Sequence, residues 1–240
     1  MSPEHSLHPL HGPLARIVTE LGMEPAAVPL NQLLAYMDLL QRWNATYNLT
    51  AVRDPQQMLI QHLADCLAVV GPMKSLQLGQ DSAVHGQVCP SLRVLDVGSG
   101  GGLPGVVLAS MFPGWRVVCV DTVGKKAAFI RQVAAELGLG NLRAEHARVE
   151  ALQAAPFDVV TSRAFSSLLD FTRLTRKLLA PGGVWMAMKG KAPADEISAL
   201  PDEIDVFHVE PLVVPGLSAE RCLVWMRPRP PSSASSANSH

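Results

Sequence analysis

The stretch VLDVGSGGGLPG, Val94 to Gly105, decides the fold. Its first residues complete the apolar run LRVLDV, which reads as a strand buried on both faces. Gly98, Gly100 and Gly102 then alternate, and a predicted helix follows. Glycine at such a turn lets the backbone bend sharply and lets a ligand approach it closely. Strand, glycine turn and helix in that order put the turn at the carboxyl edge of a sheet, where open α/β sheets hold their ligands.

Working outward, WRVVCVD, FDVVTSR and GGVWMAMKG read as further strands. GKKAAFIRQVAAELG and LLDFTRLTRKLLAPGG read as helices between them, the second stopped by Pro181 and the glycines after it. This alternation predicts a doubly wound α/β fold with a mostly parallel sheet covered on both faces. DEIDVFHVEPLVV and ERCLVWMRP follow without a helix between them and predict an antiparallel end to the sheet. Upstream, Leu30, Leu33, Leu34, Met37 and Leu40 recur at helical spacing. A second helix is expected over RDPQQMLIQHLADCLAVV, with Asp54 as N-cap and Pro55 in its first turn. The chain therefore divides into a loose arm (1–29), a helical segment (30–71), a turn-rich connection (72–91), a ligand-binding domain (92–227) and a disordered tail (228–240). His5, His8 and His11 in the arm read as solvated rather than as a metal clasp.

With 240 residues, 48% hydrophobic and 17% charged, the composition is that of a soluble globular protein. A net charge of −1 gives no bulk attraction to nucleic acid, so any such surface must be a local patch. Cys66, Cys89, Cys119 and Cys222 are widely spaced and form no C-x-x-C, so no metal site is expected. No apolar run reaches membrane-spanning length and the N-terminus lacks a signal-peptide stretch. A cytoplasmic monomer is the expectation.

Three loop types compete for VGSGGGLPG. A P-loop is excluded because no lysine follows the glycines. Gly100, Gly102 and Gly105 fit the G-x-G-x-x-G of dinucleotide folds. Asp96, Gly98, Gly100 and Gly102 fit D-x-G-x-G-x-G, the loop of S-adenosylmethionine-dependent methyltransferases. Charge favours the last. A carboxylate two residues before the first glycine opposes a pyrophosphate and suits an ammonium and a sulfonium. Asp121, ending the second strand, suits either ligand, because an acid there accepts hydrogen bonds from two ribose hydroxyls. A small-molecule methyltransferase and a dinucleotide-dependent oxidoreductase remain as alternatives.

The fourth strand ends in TSRAF, with neither the D/N-P-P-Y/F of amine methylation nor a cysteine nucleophile. Those absences fit an acceptor that has no proton to lose, such as a ring nitrogen. Arg163, directly after that strand, is the expected positioning residue, and no general base is expected. Tyr47 and Asn48 are candidates for RNA contact, as are Lys125, Lys126, Arg131 and Lys189.

Several motifs in one order resemble the bacterial small-subunit ribosomal RNA guanine-N7 methyltransferases, the RsmG (GidB) family. They are RWNATYNLTAVRDP (42–55), DVGSGGGLPG (96–105), GKKAAFIRQV (124–133), RVE (148–150), SRAF (162–165) and MKG (188–190). The resemblance implies a class I, Rossmann-like, seven-stranded fold with an N-terminal helical extension and S-adenosylmethionine as cofactor. It implies methylation of guanine N7 at position 527, in the 530 loop of 16S ribosomal RNA, on the RNA or the small subunit. It implies that Gly98 and Leu103 line the cofactor loop, that Val149 and Glu150 flank the adenine, and that Arg163 faces the methionine end or the target base.

Overall fold

The computed structural model describes residues 7–81, 91–163, 165 and 167–230. The helical first third comprises α1 (His11–Glu20), α2 (Leu30–Tyr47), α3 (Pro55–Met58), a π-helical stretch (Leu59–Ala64), α4 (Asp65–Leu67) and α5 (Val70–Asp81). The sheet domain follows as β1 (Arg93–Val97), α6 (Gly105–Met111), β2 (Arg116–Asp121), α7 (Gly124–Glu136), β3 (Leu142–His146), β4 (Phe157–Ser162), α8 (Leu168–Thr175), β5 (Leu179–Lys189), α9 (Ala194–Ser198), β6 (Ile204–Pro211) and β7 (Cys222–Pro228).

The seven strands lie in the order β3-β2-β1-β4-β5-β7-β6. Pairing is parallel from β3 across to β5, and β7 runs antiparallel to both β5 and β6. The winding reverses between β1 and β4, so the loops leaving these two strands diverge and open a crevice at their carboxyl ends. That is where the glycine stretch sits.

Apolar residues alternate between two buried faces, as a sheet covered on both sides requires. Val94, Val159 and Met186 pack with Leu33, Leu40, Val106 and Phe129 of α2, α6 and α7. Leu95, Val160 and Trp185 pack on the other face with Leu168 and Phe171 of α8. The Trp185 indole N–H, fully buried, donates to Thr175 Oγ1 at 2.8 Å, which spares it the cost of an unpaired donor. The N-terminal helices are thus one layer of the same core.

The expected second helix begins as read, with the Asp54 carboxylate accepting from the Gln57 N–H at 2.8 Å and Pro55 at the first helical position. Three segments differ from expectation. The described part of the arm carries α1, which buries Leu14, Ile17 and Val18 at helical spacing; the prolines and histidines around it obscured that stripe. His8 lies 3.3 Å from Asp38 of α2, whereas His5 lies outside the described residues. The supposed connection over 72–91 is helical through Asp81, and 82–90, with Cys89, lies outside the described residues, as does the tail from 231 onward. The helix expected to run to Pro181 stops at Thr175. After one tight turn the chain is already extended at Leu179, paired with Phe157. Pro181 and Gly182 fall where the β4–β5 register shifts, between Phe157 and Val159, so they mark an irregularity in a strand and not a helix end.

Candidate active site

Three adjoining clefts follow the carboxyl edge of the sheet. The first, about 490 Å³, is walled by Val97, Gly98, Asp121, Arg148, Val149 and Glu150 among others. The second, about 240 Å³, lies between the glycine loop and the N-terminal helices, with Gly98 to Gly101 and Leu103 on one side and Leu40, Leu49, Thr50 and His62 on the other. The third, about 320 Å³, is walled by His62, Asp65, Arg163, Met188, Lys189 and Arg221. Gly98 and Lys126 border the first and second clefts, and His62 and Arg163 border the second and third. The three are therefore contiguous.

The glycine loop explains its own sequence. Gly98, Gly100 and Gly102 have φ of 67°, 58° and 90°, the left-handed region that side chains avoid. A Cβ on Gly102 would also lie 2.6 Å from Val106 Cγ2. The loop closes on itself through Gly102 and Leu103 N–H groups, which both donate to the Ser99 carbonyl at 2.8 and 3.0 Å. Gly105 lies against Cys119 of β2, leaving no room for a side chain.

Asp96 was expected beside the ligand's positive charge. Instead it is fully buried beneath the loop and borders none of the three clefts. Its Oδ2 accepts from the Gly105 N–H at 2.9 Å, and its Oδ1 has no hydrogen-bond partner among the described residues. Burial pushes its carboxyl up to about 7, against a smaller opposing effect of the Gly105 N–H. Asp96 therefore shapes the loop from below. It also occupies the first N–H of α6, a group that a dinucleotide site aims at pyrophosphate.

Asp121 stands where the sequence put it. Its two oxygens accept from Gly100 N–H (2.9 Å) and Val123 N–H (2.8 Å), and it borders the first cleft. A carboxylate retains further lone pairs for ligand hydroxyls. Val149 is buried and Glu150 exposed at the far wall of that cleft, and Leu103 borders the second. Together these form a nucleoside-sized cleft with an acid at the strand end, followed by a narrow cleft floored by glycine backbone. That donor set fits S-adenosylmethionine and offers no phosphate cradle.

Arg163 lies between the second and third clefts. Its Nη1 donates to Asp65 Oδ2 and to the Gln61 carbonyl, both at 3.1 Å. The other Asp65 oxygen accepts from Arg221 Nε at 2.9 Å. Asp65 is nearly sealed (3% exposed side chain) while the two arginines keep about a quarter of theirs open (27% and 26%). His62 and Asp65, three residues apart on one helical face, do not pair with each other. Instead His62 Nε2 lies 3.0 Å from Thr50 Oγ1. Burial, and then the charge of Arg163, lower the His62 pKa, which keeps its ring neutral near pH 7.

The RNA-contact candidates divide. Tyr47 and Lys125 are exposed. Asn48, also exposed, is the left-handed residue ending α2, and its Oδ1 accepts from Arg53 at 2.6 Å. Arg131 is tied to the Ala144 carbonyl at 3.0 Å. Lys126 borders the first two clefts, 3.9 Å from Asp121. Lys189 is committed inside the protein. Its Nζ donates to Glu196 at 2.9 and 3.0 Å and to the Phe165 carbonyl at 3.3 Å, while Glu196 also accepts from the Leu168 N–H at 2.8 Å. It fastens the loop after β4. Sequence reasoning missed Thr50, His62, Asp65 and Arg221 as wall residues. Their neighbours in space are far apart in the chain, and only the density of polar residues in NLTAVRDP hinted at a built loop.

The family model "GidB: rRNA small subunit methyltransferase G" matches residues 29–224. A protein of Acidovorax sp. (strain JS42) called ribosomal RNA small subunit methyltransferase G is 60% identical over 210 residues, covering 87% of this chain and 91% of that protein. Its namesake in Leptothrix cholodnii is 59% identical over 214 residues, covering 89% and 94%. Among solved structures, a SAM dependent methyltransferase from Aquifex aeolicus shares the fold, with a TM-score of 0.50 at 17% identity over 72% of this chain and 97% of that one. Among the described residues no helix is long and apolar enough to cross a membrane. With family model and relatives agreeing over the same span, the chain belongs to the rRNA small subunit methyltransferase G family, as an S-adenosylmethionine-dependent enzyme of 16S ribosomal RNA.

Proposed function

We propose that the protein methylates N7 of guanine 527, in the 530 loop of 16S ribosomal RNA, working as a monomer in the cytoplasm. The observation that carries the choice of atom is the state of the groups around the second and third clefts. Asp65 is only 3% exposed, with each oxygen accepting from an arginine, and His62 meets Thr50 through Nε2 while its Nδ1 is sealed away from the clefts. Neither is poised to pull a proton from an amine. A guanine N7 presents a lone pair and has no proton to lose, so it needs only to be placed.

S-adenosylmethionine, when bound, supplies an electrophilic methyl group on a sulfonium. The chain's own residues do the rest. Asp121 takes the ribose hydroxyls, with Val149 and Glu150 flanking the adenine. Gly98, Gly100 and Leu103 line the path to the second cleft, and Lys126 stands at the border of the two. Arg163, fixed by Asp65 and the Gln61 carbonyl, holds the donor carboxylate or an RNA phosphate. It cannot sit against N7, because the product is cationic there. Holding acceptor and donor in line supplies on the order of 7–11 kcal/mol in favourable cases. The base leaves its stack to enter the third cleft. Tyr47, Asn48 and Lys125 on the exposed rim are the residues for RNA contact.

The test is to map N7-methylguanine in 16S RNA from cells with and without the protein, and after adding the purified protein to unmodified small subunits. Methylation at 527 that follows the protein supports the reading. A methyl group at another nucleotide, or on another atom, overturns it. Sedimentation of the active protein at twice the mass of one chain would overturn the monomer.

A further inference from the structure

On α2, Tyr36 shares the buried stripe of Leu33 and Leu40, and it is fully buried. A phenol on an apolar stripe needs a hydrogen-bond partner. The partner is the carbonyl of Gly101, 2.8 Å away and 65 residues along the chain. We propose that Tyr36 is a positioning residue for the donor site: its hydroxyl pins the Gly101 peptide and so fixes the glycine loop that floors the second cleft. The inference rests on the proposed function, in which the donor runs from the first cleft past the glycine loop toward Arg163 at the second.

The loop needs such a pin. Gly98, Gly100 and Gly102 all have positive φ and no side chain to hold a torsion. The Gly100 N–H is held by Asp121, and the Gly102 and Leu103 N–H groups by the Ser99 carbonyl. Gly101 lies between these anchors, borders the second cleft, and takes its hydrogen bond from outside the sheet domain. Turning its peptide would break the Tyr36 bond and draw the Gly102 N–H off Ser99. Leu40, one turn further along α2, closes the same side: its Cδ1 lies 3.1 Å from where a Cβ on Gly101 would stand. Burial raises the Tyr36 hydroxyl well above its ordinary pKa of 10.0, so it stays a donor. The ring is steadied by Phe129 of α7, with centroids 6.3 Å apart. The helical extension therefore sets the shape of the donor site as well as covering the core.

The experiment compares wild type, Tyr36→Phe and Phe129→Leu. Affinity for S-adenosylmethionine is measured by calorimetry, KM for donor and for small subunits by methyl transfer, and stability by thermal unfolding. Phe129→Leu disturbs packing around Tyr36 but leaves its hydroxyl. The expected result is a donor Kd and KM about 3- to 10-fold higher in Tyr36→Phe, with KM for small subunits unchanged. Phe129→Leu should melt lower with donor affinity near wild type. Equal donor affinity in wild type and Tyr36→Phe overturns the proposal. So does a loss of affinity in both variants that tracks their loss of melting temperature, which would mean packing alone. A wild type that binds no S-adenosylmethionine would remove the donor reading itself, and the proposal with it.

Discussion

Replacing Asp96 with asparagine should flatten part of the protein's pH–stability profile. Asp96 is fully buried under the glycine loop, and burial lifts its carboxyl from 3.8 to about 7. Between those values the folded protein holds a proton that the unfolded chain has released. Stability from this group is therefore full below the unfolded pKa, and is lost as pH rises toward the folded one. The slope is about 1.4 kcal/mol per pH unit. From pH 5 to pH 7 the wild type should lose about 2 kcal/mol relative to Asp96→Asn, the slope halving as the pH reaches the folded pKa, with little further change above. Asparagine can still accept from the Gly105 N–H, and any packing difference it brings is an offset that does not vary with pH. The assay is urea unfolding of both proteins at half-unit steps from pH 5 to 8. A stability difference that stays level across that range would refute the burial argument and show that water or a conformational change solvates the carboxylate.

Gly105→Ala should overpack the β1–β2–α6 junction, since its Cβ would fall 2.3 Å from Cys119 Sγ and 3.0 Å from Asp96 Oδ2. The expected loss is about 1–3 kcal/mol in urea unfolding, partly recovered in Gly105→Ala/Cys119→Ala; strict additivity would count against this contact. Asp121→Ala removes a carboxylate that bonds two backbone N–H groups at the edge of the first cleft. Donor affinity by calorimetry should fall about tenfold to a hundredfold, and an unchanged value would place the ribose elsewhere. Asp65→Ala leaves Arg163 and Arg221 without their shared anion. Because both arginines are partly solvated, the stability loss should be about 1–3 kcal/mol, below that of a sealed pair, while methyl transfer to small subunits falls much further. Lys189→Met should lower turnover by loosening the loop after β4. Its RNA affinity should keep the wild-type salt dependence, because Lys189 meets Glu196 and not a phosphate.

What the sequence disclosed was local. The glycine turn, the Asp54 cap and the acid ending β2 each rest on residues a few positions apart, where backbone sterics and hydrogen bonding leave few choices, and the antiparallel close of the sheet showed only as two strand runs with no helix between them. Asp96 was identified as important on correct charge chemistry, yet the pleat turned its side chain into the core. Lys126 read as a phosphate contact because helix starts are solvated more often than they border clefts. The Asp65 pairs span 98 and 156 residues of chain, and no period or motif encodes a contact at such range. Pro181 misled because proline stops a helix far more often than it kinks a strand.

One wall of the second cleft, Leu40, Leu49, Thr50 and His62, is made from chain that precedes every strand of the sheet. During synthesis that wall leaves the ribosome first and must wait for the glycine turn it will face. A fragment starting at β1 would keep the strands and the walls of the first cleft, yet it would leave the second cleft without this wall and open to bulk water. The sheet is consequently no interchangeable cassette: transplanting it into another protein without the opening helices would carry over the first cleft and leave one wall of the second behind.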